Sequence, residues 1–366
     1  MVELLLSVIV LSLVGGALAL LLVISERYLA NYGDCVINVN GKRKLTVKGG
    51  ASLLTSLMGQ KIFIPSACGG RGTCAYCKVT VKEGGGPILP VEEPYLTTEE
   101  RKLGARLSCQ VKVRNDIAIE IPEELFNIRE YRAVVQRITD LTYDTKELRL
   151  KLLEPESISF KAGQYVQLET PVYEGNKEPT YRAYSMSSPP SLVGAVELII
   201  RLVPDGICTT WVFKHLREGQ DVRFTGPFGS FGVRSSDRRI VFIAGGSGYA
   251  PIKAIIQENP AEVNRRTAKF FFGAKAVKDL FHIKLMEEVH AQHPQIEFIP
   301  ALSLPDPGDV WEGEKGLITE VVDRRLPDAS NTEFYLCGSP GMIDACIAVL
   351  HKKGVPDDLI FFDKFA

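Results

Sequence analysis

Four rhythms of hydrophobic and polar positions follow one another along the chain, and each asks for a different structure. From Leu4 to Ile24 the run LLLSVIVLSLVGGALALLLVI holds no charged residue. As a helix at about 1.5 Å per residue it would extend roughly 31 Å, enough to cross a hydrocarbon core. Between Cys35 and Pro122, short alternating stretches (VINVN, KLTVK, KVTVK, IAIEI) flank a Gly-rich loop bearing cysteines and a polar helix near Thr97 to Leu103, which describes a small α+β unit. From Tyr131 to Gly226 strand-like segments follow at regular spacing (RAVVQRI, TKELRLKLL, QYVQLET, AVELIIRLV, DVRFTG), broken by Gly, Pro and Asp turns, as in an antiparallel barrel or sandwich. From Arg239 onward, buried strands alternate with amphipathic helices, the pattern of a parallel, doubly wound α/β sheet.

Composition narrows the function classes. The 366 residues are 45% hydrophobic and 24% charged with a net charge of -1, so the chain is a folded protein without the Lys and Arg excess that phosphate backbones require; no nucleic acid is expected as a partner. The apolar N-terminal run differs from a cleaved signal peptide, because Glu3 precedes it without any Lys or Arg and the run is longer than a typical signal core. A retained single-pass anchor is therefore expected. Arg27, Lys42, Arg43 and Lys44 follow it, which places the bulk of the chain on the cytoplasmic side. With no ionisable group inside, that helix offers no ion path. The expected organisation is an anchor over residues 1–30, the α+β unit over 31–128, the β-barrel over 129–232 and the α/β lobe over 233–366.

Of eight cysteines, Cys68, Cys74, Cys77 and Cys109 fall in one region, in CGGRGTCAYC and LSCQ. Clustering of this kind favours metal ligation over a disulfide framework. Three ligands from one loop and a fourth from a distant segment suit a two-iron cluster, whereas structural zinc usually takes paired CxxC knuckles. Gly69, Gly70 and Gly72 would let the backbone curl around the inorganic core and aim N–H groups at its sulfurs. The spacing of five and two residues differs by one from the plant-type pattern. It resembles that of adrenodoxin-like ferredoxins and of certain multidomain reductases.

In YRAYSMSS, Arg182 offers a partner for a pyrophosphate, Tyr184 a ring to pack on a flavin and Ser185 a hydroxyl for the flavin N5 edge. An Arg and a Tyr at a strand end are also common structural residues. Further on, Gly206, Thr209 and Thr210 open a helix whose N-terminus would face the same pyrophosphate, and GPFGSFG begins at Gly226. Here the chain resembles the ferredoxin-NADP reductase superfamily, in which the RxYS motif binds FAD.

The strand RIVFIAG runs into GGSGYAP, where Gly245, Gly246 and Gly248 could present backbone N–H groups and a helix end to a dinucleotide. The motif is not a full GxGxxG, and an ordinary strand-to-helix turn would look similar. In YLCGSPGM, Cys337 and Gly338 stand at the carboxyl end of a late strand, where nicotinamide would lie; a buried core Cys is the plainer reading. By analogy with the superfamily, Phe365 of the terminal FFDKFA would stack on the flavin, with Phe361 and Phe362 as core strand residues. Ser185, Cys337 and Phe365 are thus the residues expected nearest the chemistry. Lys275 and Lys278 could favour a 2'-phosphate, while the absence of Arg there argues for NADH. His290 and His293 are read as solvated groups rather than a metal pair, His215, His282 and His351 show no partner pattern, and Cys35 is read as an unmodified strand or interfacial thiol.

Anchor, ferredoxin-like (β-grasp) domain, FAD barrel and Rossmann-like NAD lobe, in that order, resemble the family of F subunits of Na+-translocating NADH:quinone oxidoreductases. The segments GGG followed by ILP, RLSCQVKVRNDIAIEIPEELF, RAYSMSS, GPFG and DKFA carry the resemblance. It implies a [2Fe-2S] cluster, FAD and NADH as cofactors, other membrane subunits of a quinone reductase complex as partners, and a single-pass place in a bacterial inner membrane. Arg71, Tyr76 and the GSPG stretch depart from that family's usual residues, and the length is somewhat short for it. Two other readings stay open: the reductase component of an aromatic-ring or methane oxygenase, and a carrier ferredoxin with a degenerate reductase tail.

Overall fold

The computed structural model describes residues 2–29, 32–258, 263 and 265–365, with the side chains of 2–5 and 22–29 outside that description. Helix α1 (Val2–Leu29) is unbroken, and its side chains from 6 to 21 are all exposed. Among the described residues no helix is long and apolar enough to cross a membrane. The expected anchor draws on positions beyond those side chains at both ends. The remaining contacts divide the chain into two compact units, Met1–Ile64 with Gly70–Asn127, and Pro65–Gly69 with Ile128–Ala366.

In the first unit the alternation of VINV places Ile37 and Val39 inside strand β1 (Asp34–Val39). It pairs antiparallel with β2 (Arg43–Lys48) and parallel with β5 (Ile117–Glu120). With β3 (Lys78–Glu83) and β4 (Ala105–Leu107) the order is β2-β1-β5-β3-β4. Helix α2 (Leu53–Gly59), capped by the Ser52 hydroxyl on the Thr55 amide, lays Leu53 and Leu57 on this sheet. Helix α3 (Thr98–Lys102) begins in a capping box made by Thr97 and Glu100.

The second unit opens with six antiparallel strands, β6 (Arg129–Thr142), β7 (Thr145–Glu154), β8 (Tyr165–Thr170), β9 (Thr180–Ser185), β10 (Ala195–Arg201) and β11 (Asp221–Phe228), in the order β10-β7-β6-β11-β8-β9. A bridge between Met186 and Leu198, with the Ser187 amide donating to the Glu197 carbonyl at 2.7 Å, closes the barrel. Helix α4 (Ile207–Lys214) packs Trp211 and Val212 into the barrel's hydrophobic core.

A parallel sheet follows, built from β12 (Arg239–Gly245), β13 (Ala268–Ala274), β14 (Ile296–Leu302), β15 (Glu314–Lys315), β16 (Thr332–Gly338) and β17 (Ile360–Lys364) in the order β15-β14-β13-β12-β16-β17. Helices α5 (Tyr249–Glu258) and α6 (Ile283–Gln292) contribute to one core, α7 (Ile318–Arg325) and α8 (Pro340–Lys352) to the other, so hydrophobic clusters fill both faces. Strand order reverses at β12, which has β13 on one side and β16 on the other; ligands of such sheets bind at the carboxyl ends there. One expectation fails on this sheet. On edge strand β17, Phe361 stacks on Tyr335 at 5.0 Å, while Phe362, on the opposite face at the uncovered rim of the sheet, is 48% exposed rather than being a core residue.

Candidate functional site

The loop between α2 and β3 carries Cys68, Cys74 and Cys77, and Cys109 follows β4. Gly69, Gly70 and Gly72 take φ of +65°, +86° and +76°, a left-handed curl that a side chain would strain. The sulfurs of Cys77 and Cys109 lie 3.3 Å apart. The bond that the Cys77 thiol donates to Cys109, and then burial, push that thiol up, because losing the proton would break the bond and set a buried thiolate to repel the neighbouring sulfur. Iron would relieve that repulsion, so the donor chemistry fits a thiolate-held cluster. Among the described residues no three His, Cys, Asp or Glu side chains gather closely enough to hold a metal. The structure thus joins Cys77 to Cys109 without drawing the expected set of four together.

Gln110 supports this loop, and Arg106 the one that follows β3. The Gln110 amide donates to Cys109 Sγ at 3.4 Å and to the Gly70 carbonyl at 3.3 Å. Arg106, itself buried, binds the carbonyls of Gly85, Gly86 and Pro87 and makes a 2.7 Å ion pair with Glu92. Burial alone would raise the Glu92 carboxyl; the bonds from Arg106 and from the Leu89 and Leu107 amides override it and hold the group below the usual carboxylate range.

In the barrel, Arg182 and Tyr184 lie on β9 and Ser185, buried, ends it. The Arg182 guanidinium donates to the Tyr181 carbonyl at 2.8 Å. Tyr184 is half-buried, and burial, followed by the neighbouring Cys208, holds its hydroxyl well above the ordinary phenol value. Cys208, in the first turn of α4, also bonds the Thr170 hydroxyl and so ties α4 to β8. Gly206 caps α4 with no side-chain bond, and a Cβ there would stand 2.6 Å from Thr209 Oγ1. The Thr209 hydroxyl donates to the carbonyls of Val203 and Gly206 at 3.2 and 3.3 Å, so it is turned into its own bend, while the Thr210 amide starts the helix on the Gly206 carbonyl.

At the switch point the glycines have a steric reason. A Cβ on Gly248 would meet the Cys337 carbonyl oxygen at 2.2 Å, one on Gly245 the Met342 sulfur at 2.7 Å, and Gly338 has φ +146°. The ends of β12 and β16 therefore touch backbone to backbone. Cys337 is fully buried, and burial with the Asp363 charge holds its thiol well above the usual value. The Phe365 amide donates to the Gly338 carbonyl at 2.8 Å, which brings the C-terminal segment to this same edge. Gly246 faces the barrel: a Cβ on it would stand 3.2 Å from Arg201, whose guanidinium is paired with Asp144 at 2.8 Å.

Several of these residues carry no local sequence signal. Arg201 and Asp144 are 57 positions apart, and the buried Lys253 pairs with Glu147 and Glu197 at separations of 106 and 56. His282, which shows no partner pattern in sequence, stands 3.9 Å from Glu147 in that group, with burial lowering its pKa. His351 likewise finds Asp357 at 2.8 Å. His290 lies partly exposed, with its ring Nδ1 2.8 Å from the Ile296 carbonyl oxygen.

Comparison with known proteins agrees with this geometry. Family models described as 2Fe-2S iron-sulfur cluster binding domain, Oxidoreductase FAD-binding domain and Oxidoreductase NAD-binding domain match residues 37–114, 132–232 and 242–347. Among solved structures, the Amycolatopsis cytochrome P450 reductase GcoB is 27% identical with a TM-score of 0.73, covering 90% of this chain and 98% of its own. The ferredoxin reductase of carbazole 1,9a-dioxygenase is 27% identical with a TM-score of 0.69, covering 91% and 98%. Fold and site together define an iron-sulfur flavoprotein oxidoreductase that takes NAD, FAD and a [2Fe-2S] cluster as cofactors. The F subunit of the Na(+)-translocating NADH-quinone reductase of Neisseria meningitidis is 35% identical over 405 aligned positions, covering 99% of both chains; that of Pseudomonas aeruginosa is 36% identical, covering 97% and 96%. The chain belongs to this family of F subunits.

Proposed function

We propose that this chain is the electron-input subunit of a membrane quinone reductase of the Na+-translocating type, passing electrons from NADH through FAD and the [2Fe-2S] cluster to partner subunits. The observation that carries the reading is the likeness to the Neisseria F subunit over 99% of both chains, which unites all three cofactor domains in one order. The cofactors supply hydride acceptance, release of single electrons and one-electron carriage. The protein supplies placement and charge. Cys68, Cys74, Cys77 and Cys109 would hold the iron, Arg182 with the α4 turn at Gly206 and Thr210 the flavin pyrophosphate, and Tyr184 and Ser185 the isoalloxazine. Gly245, Gly246 and Gly248 would take the nucleotide phosphates, with Cys337, Gly338 and Phe365 around the nicotinamide. Lys278 supports NADH over NADPH, because its ammonium is already paired with Asp306 at 2.7 Å and a 2'-phosphate would meet that carboxylate.

The domain limits we assign are 1–30, 31–128, 129–232 and 233–366. We assign the first as a single-pass anchor in a bacterial inner membrane with the remainder cytoplasmic, on the uncharged run from Leu4 to Ile24 and the basic residues after it. An oxygenase reductase component is the second reading, favoured by the likeness to the carbazole dioxygenase reductase; the weaker identity, 27% against 35%, and the apolar N-terminal run argue against it. Purifying the chain from its own membranes in mild detergent decides between them. Copurifying membrane subunits and NADH-driven, sodium-stimulated quinol formation are expected; a soluble protein that reduces an oxygenase and no quinone would refute the proposal.

A further inference from the structure

The barrel and the nucleotide lobe meet at a buried ionic group that no cofactor domain requires. Lys253 on α5 reaches Glu147 on β7 at 2.9 Å and Glu197 on β10 at 3.0 Å, and its side chain is only 5% exposed. Arg149, opposite Glu197 in the sheet, completes the charge balance at 3.1 Å. His282 and Tyr249 flank Glu147, and the Tyr249 hydroxyl and His282 Nδ1 are both buried without a hydrogen-bond partner. In balance the group is neutral, with two carboxylates against an ammonium and a guanidinium.

Position gives the group its meaning. Lys253 lies one helical turn after Tyr249, and α5 begins directly behind the Gly245–Gly248 turn. At the other end, the Glu197 backbone is bonded to Ser187 and Ser188, two and three residues past Ser185, where the barrel closes. The ion group therefore ties the helix behind the nucleotide turn to the strand that closes the barrel beside the flavin motif. Buried charges contribute little net stability but penalise separation steeply, since any gap leaves each one uncompensated in a poor solvent for ions. Such a group fixes distance and register rather than adding strength.

We propose that Lys253, held between Glu147 and Glu197, is a positioning residue that sets the nucleotide lobe against the flavin barrel at the distance hydride transfer needs. The proposal rests on the functional reading above. Its test uses the full-length protein with K253M and with E147Q/K253M, which removes one charge of each sign and leaves the Glu197–Arg149 pair in place. In the double variant, flavin content and NADH affinity stay near wild type. The rate of flavin bleaching at saturating NADH falls by about a hundredfold, the scale of a misplacement near 1 Å. The long-wavelength absorbance of nicotinamide stacked on reduced flavin weakens as well. In flavin-free protein, amide exchange over 249–258 and 195–201 rises in both variants. A double variant with the wild-type bleaching rate overturns the proposal, as does one that loses flavin while each remaining flavin reacts at the normal rate. A wild-type protein that never bleaches its flavin with NADH would instead overturn the functional reading itself.

Discussion

The cysteine loop and the edge where β12 meets β16, the two places proposed to hold cofactors, are built in opposite ways. The loop is local: Cys68, Cys74 and Cys77 lie within one short run, left-handed glycines bend it, and Arg106 with Glu92 fastens the loop after β3. The edge is assembled across the chain, from Gly248 against Cys337 and from Lys253 against Glu147 and Glu197. A local site can be written as a motif and carried intact from one protein to another. A distributed site depends on the packing of two layers, and its residues acquire their roles only in the folded chain.

Breaking the local side has the largest expected effect. Cys109→Ser removes a proposed ligand and one of the two sulfurs in contact, and iron and acid-labile sulfide analysis should show the cluster gone while the flavin remains. Arg106→Met comes next. It leaves Glu92 buried without a counter-charge at a cost of about 3–5 kcal/mol, read as lost denaturant resistance in the first unit with the flavin spectrum unchanged. On the distributed side, Gly248→Ala drives a methyl into the Cys337 carbonyl and should cost about 1–3 kcal/mol, with a raised KM for NADH as the kinetic sign. Asp306→Ala frees the Lys278 ammonium and should improve the use of NADPH severalfold at low salt, an effect that fades as salt is added.

The smallest effect sharpens the comparison through pH. Glu92 has a depressed pKa in the folded protein, so its contribution is fully present above the unfolded carboxylate value of about 4.3 and is lost as pH falls through the lower folded value. Unfolding followed from pH 5 downward should therefore lose stability faster in wild type than in Glu92→Gln.

Legibility in the sequence follows the same division. The cysteine spacing and the glycines single out the loop because they lie in a few adjacent positions, whereas Cys109 meets Cys77 from 32 positions away. The strand and helix rhythms give the three folded layers because periodicity is local as well. Gly248 and Gly338 read as phosphate and nicotinamide residues, but their steric role, letting β12 and β16 touch, appears only once those strands are neighbours. Lys253, Glu147 and Glu197 carry no local signal in sequence, since nothing nearby reveals that α5 will press Lys253 against β7 and β10. Phe362 reads as core from its apolar character alone, yet it is 48% exposed on edge strand β17 although Ile360, on the same face, is buried. Gln110 directly follows Cys109, and that adjacency is the one local signal for a donor to sulfur; the spacing of the cysteines says nothing of it.

The central claim is that electrons from NADH reach the flavin first and the cluster second within this one chain. Rapid mixing of the oxidised, full-length protein with NADH, followed by absorbance and by EPR of samples frozen at successive times, tests it directly. Flavin bleaching followed by the signal of a reduced two-iron cluster is the predicted course. Flavin that bleaches while no cluster signal ever appears, or a sample holding zinc in place of iron and sulfide, would contradict it.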